Sequence, residues 1–414
     1  MQKKQVVVVG AGPAGMMAAI RASELKSDVF LIEKNPTLGK KLLLSGKGRC
    51  NLTNACAMDE FLSNFSHHGQ FLRDAFGKFF NQDLIDFFEK RGLGMREERQ
   101  RRIFPVSDRS ASVLNILKNE LDKRHIKLFL NNPVKDILVK NCVVCGVHFG
   151  ENEFLKTNSL ILATGGVSYK FTGSTGEVFN LLKKLGHTII ELKPGLVPLI
   201  VSQNYPSFLE GLVLKNICLE FVSPKSRIIS QSGELLFTGT GISGPLVLSL
   251  SGKAGDLLRK DGSLYVNIDL KPALSIQQLE NRLLREFNIN SNKSIRKIMG
   301  ELLPLRLIDL FIRILGFDPR KKANQVTANQ RRKFAYLLKS WRLDICATSP
   351  LDQAMITRGG VSLKEINPRT MESRLIKGLY FAGEMIDIDA DTGGFNLQAA
   401  FSTGYLAGGS AALS

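Results

Sequence analysis

The sequence predicts an α/β fold. Its first domain is of the Rossmann-like, dinucleotide-binding kind and is built from both chain ends, with a mostly β domain and a small helical subdomain inserted between them. Three observations predict it. A run of four valines enters Gly10-Ala11-Gly12-Pro13-Ala14-Gly15 and then a helical stretch; the apolar period changes from two to 3.6 near Ile276; and the last strand-like run leads into an Ala- and Gly-rich helix that suits close packing against the opening.

Composition sets the frame. A chain of 414 residues with 44% hydrophobic and 23% charged residues is globular, which excludes a fibrous repeat or a disordered tail, and its length suits two or three domains. Six cysteines at irregular spacing form no disulfide framework, so reduced thiols and a cytoplasmic protein are expected. The longest uncharged apolar stretch, residues 6–20, contains Gly10, Gly12, Pro13 and Gly15, so no membrane span is expected. The formal charge of +18, from 56 Lys and Arg against 38 Asp and Glu, favours an anionic ligand or partner. No helix-turn-helix, zinc or RNA-binding signature accompanies it, so the expectation is a small-molecule substrate rather than nucleic acid.

In chain order, residues 6–9 read as a strand, 13–24 as a helix and 29–32 as a second strand, a βαβ opening. Residues 39–54, rich in Gly, Lys and Ser, read as a binding loop. Residues 71–91 and 111–124 carry apolar side chains at helical spacing. The runs 126–130, 134–139, 143–149 and 160–163 read as a meander returning to a parallel strand. Strand-like runs dominate from 194 to about 270. Residues 276–316 are helical, 378–382 are a strand, and 396–412 are the closing helix.

The glycine turn carries the first chemistry. Gly10 permits the tight turn, Gly12 lets a pyrophosphate approach the backbone, Gly15 lets helix and strand pack, and Glu33, at the end of the second strand, suits a ribose hydroxyl. A second numerical match at residues 239–244 lacks repeated βαβ units around it and reads as a flexible glycine loop. Cys142 and Cys145 fall in a strand-like run where side chains three apart point to opposite faces, so no metal site is expected. Cys50 follows Gly48-Arg49 and reads either as a reactive thiol or as a small packing residue. The five histidines (His67, His68, His125, His148 and His187) show no triad or metal spacing, and hydrolase chemistry has no support.

Four segments together carry a resemblance: residues 10–15; Ser45-Gly46-Lys47-Gly48-Arg49-Cys50-Asn51-Leu52-Thr53-Asn54; Ala163-Thr164-Gly165-Gly166; and Thr370-Met371-Glu372-Ser373 through Gly383-Glu384 to Gly393-Gly394-Phe395-Asn396. They resemble the bacterial BaiN-type, or aminoacetone-oxidase-like, flavoproteins, and the similarity covers nearly the whole chain. The resemblance implies FAD as cofactor and a β-barrel-like insert, with domains at 1–192 and 353–414 (FAD-binding), 193–274 and 335–352 (barrel), and 275–334 (helical). It also implies cofactor contacts from Gly10, Gly12, Ala14, Gly15, Glu33, Lys40, Arg49, Cys50, Asn51, Val134, Thr164, Gly165, Gly383, Glu384, Phe395, Asn396 and Leu397. The amides at 395–397 would face the flavin pyrimidine edge. The family pattern has a histidine after Phe-Thr in the insert where this sequence has Gly239, so no catalytic acid is assigned. The resemblance implies an FAD-dependent oxidoreductase that reduces a small organic substrate with NAD(P)H as a diffusible donor. The alternatives are an oxygen-using FAD amine oxidase, an RNA-modifying flavoprotein and a non-catalytic flavin-binding protein.

Overall fold

The computed structural model describes residues 4–66 and 68–414; residues 1–3 and His67, one of the five histidines, lie outside the described residues. The chain divides into two compact units, one formed by residues up to Gly195 with Pro350–Ser414, the other by Leu196–Ser349.

The first unit is built on a five-stranded parallel sheet: β1 (Gln5–Val9), β2 (Asp28–Ile32), β3 (Lys127–Phe129), β4 (Leu160–Leu162) and β5 (Leu379–Phe381), in the order β3-β2-β1-β4-β5. Buried on both faces, such strands favour continuous β-branched runs, and Val6 to Val9 are all buried. Val9 is level with Ile32 on one side and Leu162 on the other, and Leu162 with Phe381. The residues that follow these strands, Gly10, Glu33, Ala163 and Ala382, therefore emerge along one carboxyl edge.

Helix α1 (Pro13–Glu24) follows β1, and α2 (Lys40–Leu44) lies inside the stretch that reads as a loop, after Gly39 at φ +64°. The closing helix α3 (Phe395–Leu413) lies against α1 at backbone distance: a Cβ on Gly404 would stand 2.2 Å from the Ala14 carbonyl oxygen, and one on Gly408 2.3 Å from that of Ala18. The helix expected over 71–91 is two, Arg73–Lys78 and Asn81–Glu89. Its break has a cause: Phe79 is extended and stacks on Tyr405 at 4.5 Å, while the Asp83 carboxylate accepts from the Phe80 amide. The run 142–149 begins with a turn. Asn141 and Cys142, at φ +49° and +57°, join two paired strands, so Cys142 lies outside the strand expected to hold it.

The second unit is an antiparallel barrel closed by six strands, in ring order Val213–Val222, Gly233–Phe237, Gly241–Ser243, Leu199–Val201, Trp341–Thr348 and Leu264–Asp269, the last pairing back to the first. The second glycine match is neither a nucleotide fold nor a free loop. Gly241 lies in an antiparallel strand, where a Cβ would stand 2.0 Å from the Leu199 carbonyl oxygen, and Gly244 leads into a helix, Pro245–Asp261, that the serine-broken sequence hid. The segment 275–334 is not a separate body. Its buried residues Leu279, Leu283, Phe311 and Phe334 share one core with the barrel, where Phe311 meets Trp341 at 5.2 Å. The break between units falls at Gly195/Leu196 and Ser349/Pro350 because the strand Ile189–Gly195 pairs with Ile356–Val361. Among the described residues no helix is long and apolar enough to cross a membrane.

Candidate functional site

The carboxyl edge of the parallel sheet gathers the predicted residues. Gly10, at φ +97°, lies so close to β4 that a Cβ would stand 2.5 Å from the Ala163 carbonyl oxygen; a Cβ on Gly15 would stand 1.8 Å from that of Gly10. Both are glycine because the protein leaves no room. Gly12 differs. Its φ of −79° suits any residue, and nothing lies within 4 Å of a Cβ built on it. The reason for a glycine there lies outside the chain. It caps α1, whose first helical bond runs from the Met16 amide to the Gly12 carbonyl, so the amides of Gly12, Ala14 and Gly15, unlike those of Gly10 and Ala11, carry no bond among the described residues and are left for an anion at the positive end of the helix. The sheet order reverses between β1 and β4, the crevice where doubly wound sheets bind dinucleotides. The residues fit a pyrophosphate.

Glu33 is buried, and its carboxylate fixes the glycine loop. One oxygen accepts from the Ala11 amide at 2.8 Å; the other accepts from the Asn35 backbone and side chain at 2.9 and 2.7 Å. Lys40 donates to Asn35 at 3.0 Å. The Asn132 amide donates to the Glu33 carbonyl, and Val134 opens the strand two residues later. Thr164 lies beside Gly10 and Gly165 is open to its surroundings, with only Ser174 Oγ within 4 Å of a Cβ. The Gly383 amide donates to Thr403 Oγ1, and its Cβ position is 2.8 Å from that of Ala14.

Two motifs far apart in sequence meet at the start of α3. Asn54 Nδ2 donates to the Gly393 carbonyl, and the Thr53 backbone lies 2.4 Å from where a Gly394 Cβ would stand. The Asn51 amide is oriented with its nitrogen 3.2 Å from the Thr53 carbonyl and its oxygen 3.1 Å from the Gly394 amide. Phe395 packs edge-on against Phe61 at 4.7 Å. The Asn396 side chain turns back to the Ala390 amide and carbonyl, so it holds the preceding loop while its own amide, with those of Phe395 and Leu397, opens the helix.

Two further candidates are engaged by neighbouring residues of the chain. The Arg49 guanidinium lies over the Phe104 ring and pairs with Glu98 and Asp108, a cluster that Arg96 shares. Cys50 is fully buried at φ +65°, and burial pushes its thiol up to about 12, against a smaller lowering by the Ser45 hydroxyl. Of its two readings, the packing one fits the geometry.

Sequence reasoning missed the partners of Glu384. One carboxylate oxygen lies 2.5 Å from Lys41 Nζ; the other accepts from the Thr357 amide at 2.7 Å and from Ser168 Oγ at 3.1 Å. Lys41 also reaches Ser168 Oγ at 2.6 Å. The signal was the Lys40-Lys41 pair: one lysine turns to Asn35, the other to Glu384. The motif at 370–373 is structural. Glu372 accepts from the Gly378 amide, and Ser373 Oγ accepts from the Leu375 and Ile376 amides and meets His187 Nε2 at 2.8 Å, turning the chain into β5.

A parallel sheet of this order, with a glycine turn open at Gly12, an acid closing β2 and the chain end returning to the same edge, defines a dinucleotide-binding protein. The sequence profile of the HI0933-like protein Rossmann domain matches residues 4–410, and the chain belongs to that family of FAD-dependent oxidoreductases. It is 30% identical over 419 residues to the 3-dehydro-bile acid delta(4,6)-reductase of Clostridium scindens, covering 99% of both chains. It is 29% identical to a ribosomal RNA dihydrouridine synthase of Escherichia coli, over 98% of this chain and 97% of that one. The 3-ketosteroid delta1-dehydrogenase of Sterolibacterium denitrificans shares the fold, with a TM-score of 0.53 over the whole of both chains at 13% identity.

Proposed function

We propose that the protein takes electrons from NAD(P)H onto FAD and uses them to saturate a carbon–carbon double bond conjugated to a carbonyl. The observation that carries this reading is the cradle at Gly12, taken with two full-length relatives whose names describe reductions of that kind: a Δ4,6 bond in a 3-dehydro-bile acid, and the uridine ring that becomes dihydrouridine. Bound there, FAD would supply the two-electron redox chemistry. The chain's own part is to bind, orient and stabilise. We assign the pyrophosphate to Gly12 and the amides of Ala14 and Gly15, with Gly10, Thr164 and Gly165 shaping the crevice, and the ribose side to Glu33, Lys40 and Val134. Glu384, held by Lys41 and Ser168, and Gly383 belong to the ribityl side. The amides of Phe395, Asn396 and Leu397, at the positive end of α3 and braced by Asn51, oppose the negative charge that grows on reduction.

The acceptor has two readings. The first is a free small molecule such as a conjugated 3-oxo steroid acid. The second is a uridine in RNA, which the +18 charge favours because phosphodiester backbones are drawn to such a surface. Anaerobic mixing of the FAD-loaded protein with NADPH or NADH is the test, followed through the visible flavin absorbance. Bleaching, then recovery on adding a conjugated 3-oxo steroid acid or unmodified ribosomal RNA, is the expected course. A flavin untouched by either nicotinamide but bleached by an amine would replace the reading with the amine oxidase.

A further inference from the structure

The positive charge is unevenly spread. Residues 275–334 carry thirteen Lys and Arg against five Asp and Glu, a surplus of eight in a chain whose total is +18. Three of those five acids are already near a cation: Asp309 pairs with Arg296, Glu301 lies 3.6 Å from Lys293 and Glu280 lies 4.0 Å from Arg332. Arg282, Arg285, Lys297, Arg313, Arg320 and Lys333 make no ion pair among the described residues, and all but the half-buried Arg282 are exposed.

Two of these arginines share one cavity. The helix Ile276–Ile289 buries Leu279, Leu283 and Phe287, and presents Gln278, Asn281, Arg282 and Arg285, three, four and seven residues apart, on another face. Those four side chains and Leu274 line a cavity of about 520 Å³. Its rim is a built loop. Lys339 Nζ holds the turn after the strand Leu264–Asp269 by donating to Asp269 Oδ2 at 2.5 Å, to the Leu274 carbonyl at 2.8 Å and to the Lys271 carbonyl at 3.2 Å. Lys271 is half-buried; burial, and then the nearby Arg282, lowers the pKa of its ammonium. The fold thus places Arg282 and Arg285 on one cavity, with no carboxylate paired to either among the described residues, an arrangement completed by an anion. Guanidinium forks flanked by Asn and Gln amides suit phosphate oxygens better than a lone carboxylate.

We propose that the helical segment of the insert is a docking surface for structured RNA, with a backbone phosphate seated in the cavity by Arg282 and Arg285. The choice of RNA rests on the second reading of the acceptor; the anion site rests on the geometry alone. The test titrates the FAD-loaded full chain into a labelled ribosomal RNA fragment at several salt concentrations, for the wild type, R282E/R285E, R282Q/R285Q and the exposed control pair K215E/K253E. The expected result is at least a tenfold loss of affinity in both Arg282/Arg285 variants, with a log affinity against log salt slope shallower by about 2, and little change in the control. FAD content, thermal midpoint and flavin reduction by NAD(P)H stay unchanged in all four. Equal loss in the control and the Arg variants, no RNA binding at low salt, or loss confined to phosphatidylglycerol vesicles would each overturn the docking surface. A protein that saturates uridine in RNA without needing Arg282 and Arg285 also overturns it and leaves the enzymatic reading intact. One that binds RNA through them yet reduces only free enones keeps the surface and removes RNA as the acceptor.

Discussion

Gly12 and Gly15 stand three residues apart and are glycine for opposite reasons, which separates the consequences of changing them. Gly12→Val places its side chain in open space at an ordinary φ, so the protein is expected to fold with its thermal midpoint nearly unchanged and to lose FAD. Gly15→Ala drives a Cβ to 1.8 Å from a backbone oxygen, so it is expected to unfold at lower temperature whether or not FAD is present. Flavin absorbance and calorimetry on the two variants read both effects. Cys50, with its thiol held protonated by burial, is expected to resist alkylation at neutral pH in the folded protein, and Cys50→Ser to keep flavin reduction. His187 carries a pH signature. Burial lowers its pKa, against smaller opposing effects from Glu365 and the Leu182 backbone, so as pH falls below about 6.5 the unfolded chain takes up the proton first and stability drops. His187→Gln is expected to flatten that part of the curve of thermal midpoint against pH. At this scale the glycine turn and Glu33 were legible because their spacing falls within one βαβ unit, residues 5–33. The Lys41–Glu384 pair was not, because its partners lie 343 residues apart in the chain.

The opening βαβ unit and the closing helix were legible from local composition, a β-branched run entering a glycine turn and an Ala- and Gly-rich stretch. What escaped were elements whose sequence mixes signals. The helix Pro245–Asp261 begins in a serine-broken run, and the Phe79–Phe80 break lies inside an unbroken apolar period because stacking on Tyr405 overrides it. The contact of α1 with α3 is a further case. Ala14 and Ala18 on one helix and Gly404 and Gly408 on the other share a four-residue step, and backbone meets backbone there. Gly404→Leu and Gly408→Leu are each expected to cost about 1–3 kcal/mol by overpacking, read as a shift in denaturant midpoint. Because Ala14 also lies beside Gly383, the Gly404 variant is expected to weaken FAD binding as well.

At the scale of the molecule, two cores account for the described residues, one in each of the two compact units. The sequence reads 275–334 as a subdomain of its own because a helical period says nothing about which core those helices bury their apolar faces in. The insert closes on itself: Leu199 pairs with Thr348, and the Ser349 amide donates to the Pro198 carbonyl. Residues 196–349 expressed alone are therefore expected to unfold cooperatively with a sloped, folded baseline. A fragment lacking a thermal transition would show that the barrel core depends on the rest of the chain. The same closure bears on inheritance. A recombination event with its two crossovers at 195/196 and 349/350 cuts no sheet in either unit, so the cassette between them can be exchanged among relatives whole, and the cofactor-holding part and the inserted part of this lineage are free to diversify at different rates.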